Sequence, residues 1–512
     1  MFDLQNLAAW LPEVIVFGGD EGRFTGVTTD SRQVRPGDLY IALRGERFDG
    51  HDFIDAAMAA GAAGVISEVR FERAGVLTLW VPDTRQALGA LAAGWRARFG
   101  LPLIAVTGSN GKTTVKEMIA AILVAYVGEQ AAFATRGNFN NDIGVPLTLL
   151  RLTDAHRMGV VEMGMNHPGE IAGLAAMTQP QVALVLNAQR EHQEFMDGPE
   201  ATARENGSVF GALTPDGTAV FPGDDPCTPI WQQLAAGKRV MNFGLVDDEA
   251  ALNGAGAVAG TGTGSGTGAG NGTSTSNAST AAGSAVVQGA AGAPPAAGAA
   301  ATTVPLQVAA TRDARPDHFR ARLGNEVVDI RLAIAGRHNV RNALAAAACA
   351  LALGIPAATI VRGLAAFRPV NGRLRLVHTP AGMPLIDDTY NANPDSMRAA
   401  IDVLADQPVP RLLVMGDMGE TGTQATEFHR EVGEYARARG IEHIWTVGND
   451  MQAAAAAAGD RARHWPTVDA LLEEHAMAPQ AAASVLVKGS RFMKMERIVQ
   501  AWSATATPAG EH

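Results

Sequence analysis

Lys112 stands directly before two threonines, with Gly108 and Gly111 just ahead of it, in the stretch TGSNGKTT. These residue types in this order suit phosphate. Glycines let backbone approach an anion closely. A helix start behind the loop offers free N–H groups and a positive dipole end. Gly108, Ser109, Asn110 and Gly111 would then wrap the phosphates. Lys112 would reach the outer ones, Thr113 would hold Mg²⁺ by its hydroxyl, and Thr114 would belong to the same nucleotide-binding set. The spacing is shorter than the usual G-x-x-x-x-G-K-[ST], because Val106 stands where the first glycine would be. A plain strand-to-helix turn with an exposed lysine is the alternative. The flanking IAV and KTTVKEMIAAIL, read as strand end and helix start, favour the nucleotide loop.

Two further residues fit that chemistry. Glu162 closes the apolar run in VVEMGMNHPGEI, at the end of a strand next to the loop. A carboxylate there is placed to meet a nucleotide-bound Mg²⁺. His192, in NAQREHQEF, follows the next strand as a metal ligand or charge stabiliser, with a packing or surface role equally open.

Positioning such residues requires an α/β scaffold. RMGVVEMG and QVALVLNA read as buried parallel strands, and NVRNALAAAACALALG as an Ala-rich helix closed by Gly354. A second series of strand-then-loop units runs through MPLIDDTYNANP, RLLVMGDMGE, HIWTVG and SVLVKGS. At 512 residues the chain is too long for one ordinary domain. Boundaries are expected at 99/100 and 369/370. From Ala250 to Thr311 no residue is charged, and the Gly/Ser/Thr/Ala composition reads as a flexible insertion into the central domain.

Bulk properties exclude other classes. A net charge of −11 gives no basic field for nucleic acid or an anionic membrane. Cys227 and Cys349 are too few and too far apart for a disulfide framework or a zinc site. The start has no basic n-region, and no apolar run reaches the ~18 residues that span a bilayer. A soluble cytoplasmic protein is expected.

Several ordered stretches together resemble the Mur ligases: TGSNGKTT, GNFNNDIGVPLTLL, VEMGMNHPGEI, AGRHNVRNALAAAA, DDTYNANPDSM and LVKGSR. Within that family, TDSRQVRPGDLYIALRGERFDGHDF and YNANP resemble the member that adds the final dipeptide. The resemblance implies three α/β domains: a small N-terminal UDP-sugar-binding domain, a central P-loop ATPase domain and a C-terminal Rossmann-like domain. It implies ATP and Mg²⁺, with UDP-N-acetylmuramoyl tripeptide and D-Ala-D-Ala as substrates, joined through an acyl phosphate. No nucleic acid or membrane partner is expected, and a monomer is. Residue by residue, it implies phosphate and metal roles for Lys112 and Thr113, and metal roles for Glu162 and His192. Asn342 would contact adenine, and Arg373 and Asp388 would hold phosphate and ribose. Ser31 and Arg32 would bind the UDP-sugar, with Thr135, Asn138 and Asn141 near the muramoyl group. Turn chemistry is the alternative for the asparagines, a solvated arginine for Arg373, and a cap or turn carboxylate for Asp388. Lys488 and Arg491 are equally a ligand pair or a solvated pair. Asp417, Glu420 and His429 are candidates for selecting the dipeptide, or an acidic surface loop.

One position departs from the family pattern. The resemblance implies a carbamylated lysine where this chain has Asn206, fourteen positions after His192, and no lysine lies between Lys116 and Lys238. Asn206, Glu205 or water is then expected to stand in at a second metal. Two other readings stay open. One is a different amide ligase on this scaffold, such as the diaminopimelate- or lysine-adding enzyme or folylpolyglutamate synthetase. An Arg-containing DNPR stretch, which would mark the diaminopimelate enzyme, does not occur. The other is an ATP-binding regulatory module that ligates nothing.

Overall fold

The computed structural model describes residues 1–11, 13–18, 22–45, 47–71, 77–190, 196, 198–254, 306–479 and 481–503. Among them are three main sheets, each in its own stretch of chain. The first has five strands in the order Ile15–Phe17, Leu77–Trp80, Gly64–Ser67, Asp38–Ile41, Gly26–Thr28. All neighbours run parallel except the edge strand Ile15–Phe17. The helix Thr84–Arg96 starts where the Asp83 carboxylate accepts the N–H groups of Arg85 and Gln86. Its last turn ties this unit to the next. The buried Arg96 guanidinium donates to the carbonyls of Thr178 at 2.9 Å and Leu101 at 3.1 Å.

The central sheet has nine strands. Leu103–Thr107 lies inside it, between Met158–Glu162 and Val182–Val185. These three are buried along their whole length, so their apolar runs show no alternation, as a sheet covered on both faces requires. In register, Glu162 pairs with Val106 and Val185 with Thr107. The loops after all three strands therefore emerge at one sheet edge, where α/β proteins bind ligands. The helices Lys112–Val127 and His338–Ala352 pack together, the second buried from Ala343 through Ala350. Small alanine side chains permit that close approach.

The sheet continues through Thr218–Pro222, Arg239–Val246 and Val308–Thr311, all parallel, then through two antiparallel strands, Phe319–Leu323 and Glu326–Ile330. This corrects the extent of the expected insertion. Residues Glu249–Gly254 are helical, and Val308–Thr311 pairs with Phe243–Val246. Val308, Ala309 and Ala310 are fully buried, so the missing charge there reflects a core strand. Residues 255–305 lie outside the described set.

The third sheet has six strands in the order Arg375–His378, Pro384–Asp388, Ser484–Lys488, Arg411–Gly416, His443–Val447, Ala462–Trp465. Only the first runs antiparallel to its neighbour. The helix Pro394–Ala405 follows its second strand, opened by a capping box between Asn393 and Ser396. Among the described residues, no helix is long and apolar enough to cross a membrane.

Candidate active site

The loop after Leu103–Thr107 turns sharply because two glycines take left-handed backbone angles, Gly108 with φ 132° and Gly111 with φ 88°. A Cβ at Gly108 would lie 2.9 Å from Leu186 Cβ, and one at Gly111 would lie 2.8 Å from Asn342 Oδ1. Gly111 is the N-cap of the helix Lys112–Val127 and gives it no side-chain cap. A helix start of that kind suits an anion. Asn187 steadies the loop: its Oδ1 accepts from Asn110 N at 2.9 Å, and its Nδ2 donates to Asn110 O at 3.0 Å. Lys112 Nζ curls back to the carbonyls of Gly108 at 2.5 Å and Ser109 at 3.1 Å. The ammonium thus sits at the mouth of the loop.

Glu162 ends the neighbouring strand and is almost wholly buried. Its Oε1 accepts from Thr113 Oγ1 at 3.0 Å and Asn140 Nδ2 at 2.9 Å. Its Oε2 is buried with no hydrogen-bond partner among the described residues. An unpaired buried carboxylate oxygen is costly, and a cation would satisfy it. With the Thr113 hydroxyl beside it, the donor set is hard oxygen, which fits Mg²⁺. Among the described residues no group of three His, Cys, Asp or Glu gathers around one point. Water and phosphate would fill the remaining positions, as is usual for Mg²⁺.

The third sheet supplies the opposite wall of a cleft of about 1000 Å³. There Lys488 Nζ donates to Asp388 Oδ2 at 2.7 Å and to Asn391 O at 2.8 Å, both side chains nearly buried. Arg373 lies over the Tyr390 ring at 4.2 Å. Asn342 donates to Asn339 Oδ1 at 2.8 Å and faces the P-loop glycine. His338 also lines the cleft, and burial holds its imidazole below the usual value. A phosphate loop, a carboxylate with a free oxygen and a cation-bearing wall thus face one space.

Three family models match successive parts of the chain: Mur ligase family, catalytic domain, over residues 23–96; Mur ligase middle domain over 106–283; and Mur ligase, glutamate ligase domain over 372–491. The UDP-N-acetylmuramoyl-tripeptide–D-alanyl-D-alanine ligase of Escherichia coli is 36% identical over 94% of this chain and 94% of its own length. The chain belongs to the Mur ligase family. It is a ligase of that family, and the Bacillus subtilis enzyme of the same name as the Escherichia coli one is 31% identical over 93% of this chain and 92% of its own length. Among solved structures, MurF from Acinetobacter baumannii matches with TM-score 0.78 and 32% identity, covering 97% of each chain. The MurF ligase of Thermotoga maritima, solved in complex with ADP, shares the fold with TM-score 0.73 at 23% identity, over 93% of this chain and 97% of that one.

In this Mur ligase the cleft gathers Ser109 through Thr114, Asn138, Asn141, Glu162, Asn342, Arg373, Asp388, Glu420, Lys488 and Arg491. Other expected residues sit elsewhere. Thr135 is buried behind the cleft, where its hydroxyl accepts from Glu162 N at 3.0 Å and so positions the carboxylate. Ser31 and Arg32 belong to the N-terminal unit and do not line this cleft. Arg32 is exposed and paired with Asp30 at 2.9 Å. His192 lies outside the described residues.

Four expectations are corrected. Asp417 accepts the N–H groups of Asn449 and Met451, each at 2.9 Å, and so serves the next helix start. Burial pushes its carboxyl above the usual value. His429 is fully buried, bonded to Met418 N at 2.9 Å and Ala425 O at 2.7 Å. Both residues are spent on backbone. Glu205 accepts from Gly169 N at 2.8 Å and Ile171 N at 3.0 Å, which occupies both its oxygens at a helix start. Asn206 is buried, accepting from Thr107 Oγ1 at 2.5 Å and donating to Thr202 O at 3.1 Å. Neither Glu205 nor Asn206 lines the cleft.

Residues that the sequence reading passed over include Asn140, Asn187, Gln189, Arg190, Asn393 and Asp395, all lining the cleft. Asn140 lies inside the quoted GNFNND and Asn187 opens NAQREH. Their motifs were visible, but not which side chain turns inward.

Proposed function

We propose that this Mur ligase joins D-alanyl-D-alanine to UDP-N-acetylmuramoyl tripeptide at the expense of ATP, in making peptidoglycan precursor. The observation that carries the reading is the Thr113–Glu162 pair with its orphan Oε2, set beside the P-loop and opposite Lys488 and Asp388. The likeness to ligases of that name along nearly the whole chain supports the choice of substrates.

A carboxylate resists amine attack. Phosphorylation of the tripeptide's terminal carboxylate by ATP gives an acyl phosphate, and the dipeptide's amine then displaces phosphate. The protein's part is positioning and charge neutralisation. The P-loop N–H groups and Lys112 would hold the transferring phosphate. Thr113 and Glu162 would hold Mg²⁺, which when bound neutralises phosphate charge. His192 is the proposed second metal residue. Asn342, Arg373 and Asp388 would hold the nucleotide across the seam. Asn138 and Asn141 would face the muramoyl group, with Thr135 behind them, and Ser31 and Arg32 would bind the UDP end. Residues 1–99, 100–369 and 370–512 are the corresponding domains. Closure over the cleft would keep water from the acyl phosphate. We place the enzyme in the cytoplasm as a monomer.

The test is a reaction with UDP-N-acetylmuramoyl tripeptide, ATP, Mg²⁺ and D-Ala-D-Ala. The expected product has the mass of tripeptide plus dipeptide less one water, formed with equimolar ADP. Phosphate release that requires a single amino acid in place of the dipeptide would overturn the choice of substrate.

A further inference from the structure

Arg190 crosses the seam between the central and third units. It stands just after the strand Val182–Val185, in the same loop as Asn187 and Gln189. Its backbone N donates to Asp395 Oδ2 at 3.0 Å, and its NH2 reaches Asp395 Oδ1 at 2.6 Å. The same guanidinium grips Glu431 at 2.7 and 3.0 Å. Arg398 joins Glu431 from the far side at 2.9 Å. Two cations and two carboxylates thus balance in one cluster. Arg190, Asp395 and Glu431 are each only about a quarter exposed, at 25%, 23% and 26%.

Exposed single ion pairs contribute little, but forked arginine–carboxylate contacts in a shared, half-buried network hold geometry far better. Arg190 keeps the Glu431 carboxyl below the ordinary carboxylate range. A second contact runs beside this cluster. Asn393, which caps the helix carrying Asp395, donates through Nδ2 to Asn110 Oδ1 of the P-loop at 3.0 Å. Gln189 in turn accepts from Asn110 Nδ2 at 2.6 Å. The ion cluster and the phosphate loop are therefore linked through one helix start.

We propose that Arg190 is a positioning residue, which clamps the third unit over the nucleotide cleft by gripping Asp395 and Glu431. It acts through those two carboxylates. It sets how much of the population holds both walls of the cleft together. A ligand that needs both walls binds in proportion to that fraction. This inference rests on the nucleotide reading of the cleft.

The experiment measures two things on Arg190→Ala, Arg190→Lys and Glu431→Gln: ADP·Mg²⁺ affinity by calorimetry and radius of gyration by solution X-ray scattering without ligand. Arg190→Ala is expected to weaken ADP about tenfold and to enlarge the radius of gyration. Arg190→Lys should fall between it and the parent, because an ammonium keeps charge but cannot fork. Arg430→Ala is the control, since among the described residues Arg430 pairs with Glu427 and Glu434 on its own helix. It should change neither reading. A folded Arg190→Ala as compact as the parent, with ADP affinity within twofold of it, overturns the proposal. If Arg190→Ala does not fold, the Lys and Gln variants decide by the same two readings. If the parent protein fails to bind ADP·Mg²⁺, the nucleotide reading falls, and scattering alone still tests the clamp.

Discussion

Thr113 donates its hydroxyl to Glu162 at 3.0 Å, joining the first turn of the P-loop helix to the end of the adjacent parallel strand. The contact places one carboxylate oxygen and leaves the other without a partner. Glu162→Gln keeps the shape and an acceptor for Thr113, but removes the charge and turns an N–H toward the cation position. Ligation is expected to drop about 100-fold or more. Raising Mg²⁺ should not restore it. The unfolding midpoint should hold or rise, since an unpaired buried charge is gone. A variant with normal turnover and normal Mg²⁺ dependence would remove Glu162 from the metal site.

Lys112 spends its ammonium on the carbonyls of Gly108 and Ser109, within reach of whatever the loop holds. Lys112→Met retains the aliphatic stem and loses the charge. Turnover is expected to fall about 100- to 1,000-fold, as for loss of one preorganised charge at a transition state. Phosphate release measured with saturating ATP separates this effect from nucleotide binding. Turnover within threefold of the parent would leave phosphate neutralisation to the backbone donors alone.

The reach of sequence reasoning follows from distance along the chain. The P-loop was legible because its glycines, lysine and threonines share one turn, and that one turn lines the cleft. Glu162 was legible because a carboxylate at the end of an apolar run has one place to be. Asn140 was not, because three asparagines crowd GNFNND and only the folded loop selects the one that faces Glu162. Arg190 and Asp395 are 205 positions apart, so their contact exists only after two units dock. Asp417 and His429 misled for a different reason. A strand-end acid can face a cleft or the next helix start, and here backbone N–H groups took it. The strand Val308–Thr311 hid because a buried strand and a low-complexity tract both lack charge.

The Lys488–Asp388 pair joins two parallel neighbours at 2.7 Å, with the side chains only 4% and 13% exposed. Removing one partner strands the other charge in a poorly solvated place. Asp388→Asn is expected to cost about 3 kcal/mol or more of stability. Adding Lys488→Met should recover much of that loss, since no buried charge then remains unpaired. Urea unfolding of both single variants and the double variant gives the coupling. Additive losses would mean that the two groups act independently.

Glu442 gives the acid limb a predictable shape. Arg411 forks onto it at 3.0 and 2.9 Å, and this holds its carboxyl down to about 2 from an ordinary 4.5. The folded state binds the proton more weakly than the unfolded state does. The pair's contribution is therefore complete above pH 4.5 and is lost as pH falls from 4.5 toward 2. Partial exposure and salt reduce its size. Glu442→Gln should flatten the stability–pH slope in that window by up to one proton and leave the slope near neutrality unchanged. Thermal unfolding at a series of pH values checks this. An unchanged acid limb would show that solvent screens the pair fully.

Asn206 sits where the family pattern carries a carbamylated lysine, and its surroundings explain why it cannot play that part. A carbamate forms when a free amine adds to CO₂, and a carboxamide nitrogen is not nucleophilic enough to do so. The side chain is also held at both ends, accepting from the Thr107 hydroxyl at the P-loop strand end and donating to Thr202 O. Its work is to hold that strand end to the helix Gly198–Gly207. Ligation is therefore expected to be the same in CO₂-depleted buffer and after bicarbonate is added back. Asn206→Ala should instead cost about 1–3 kcal/mol in unfolding stability, because the Thr107 hydroxyl loses its buried acceptor. Strong rescue of CO₂-depleted enzyme by bicarbonate would place a carbamate on one of the chain's five lysines. That outcome would return a bridging ligand to the metal site and overturn the structural role given to Asn206.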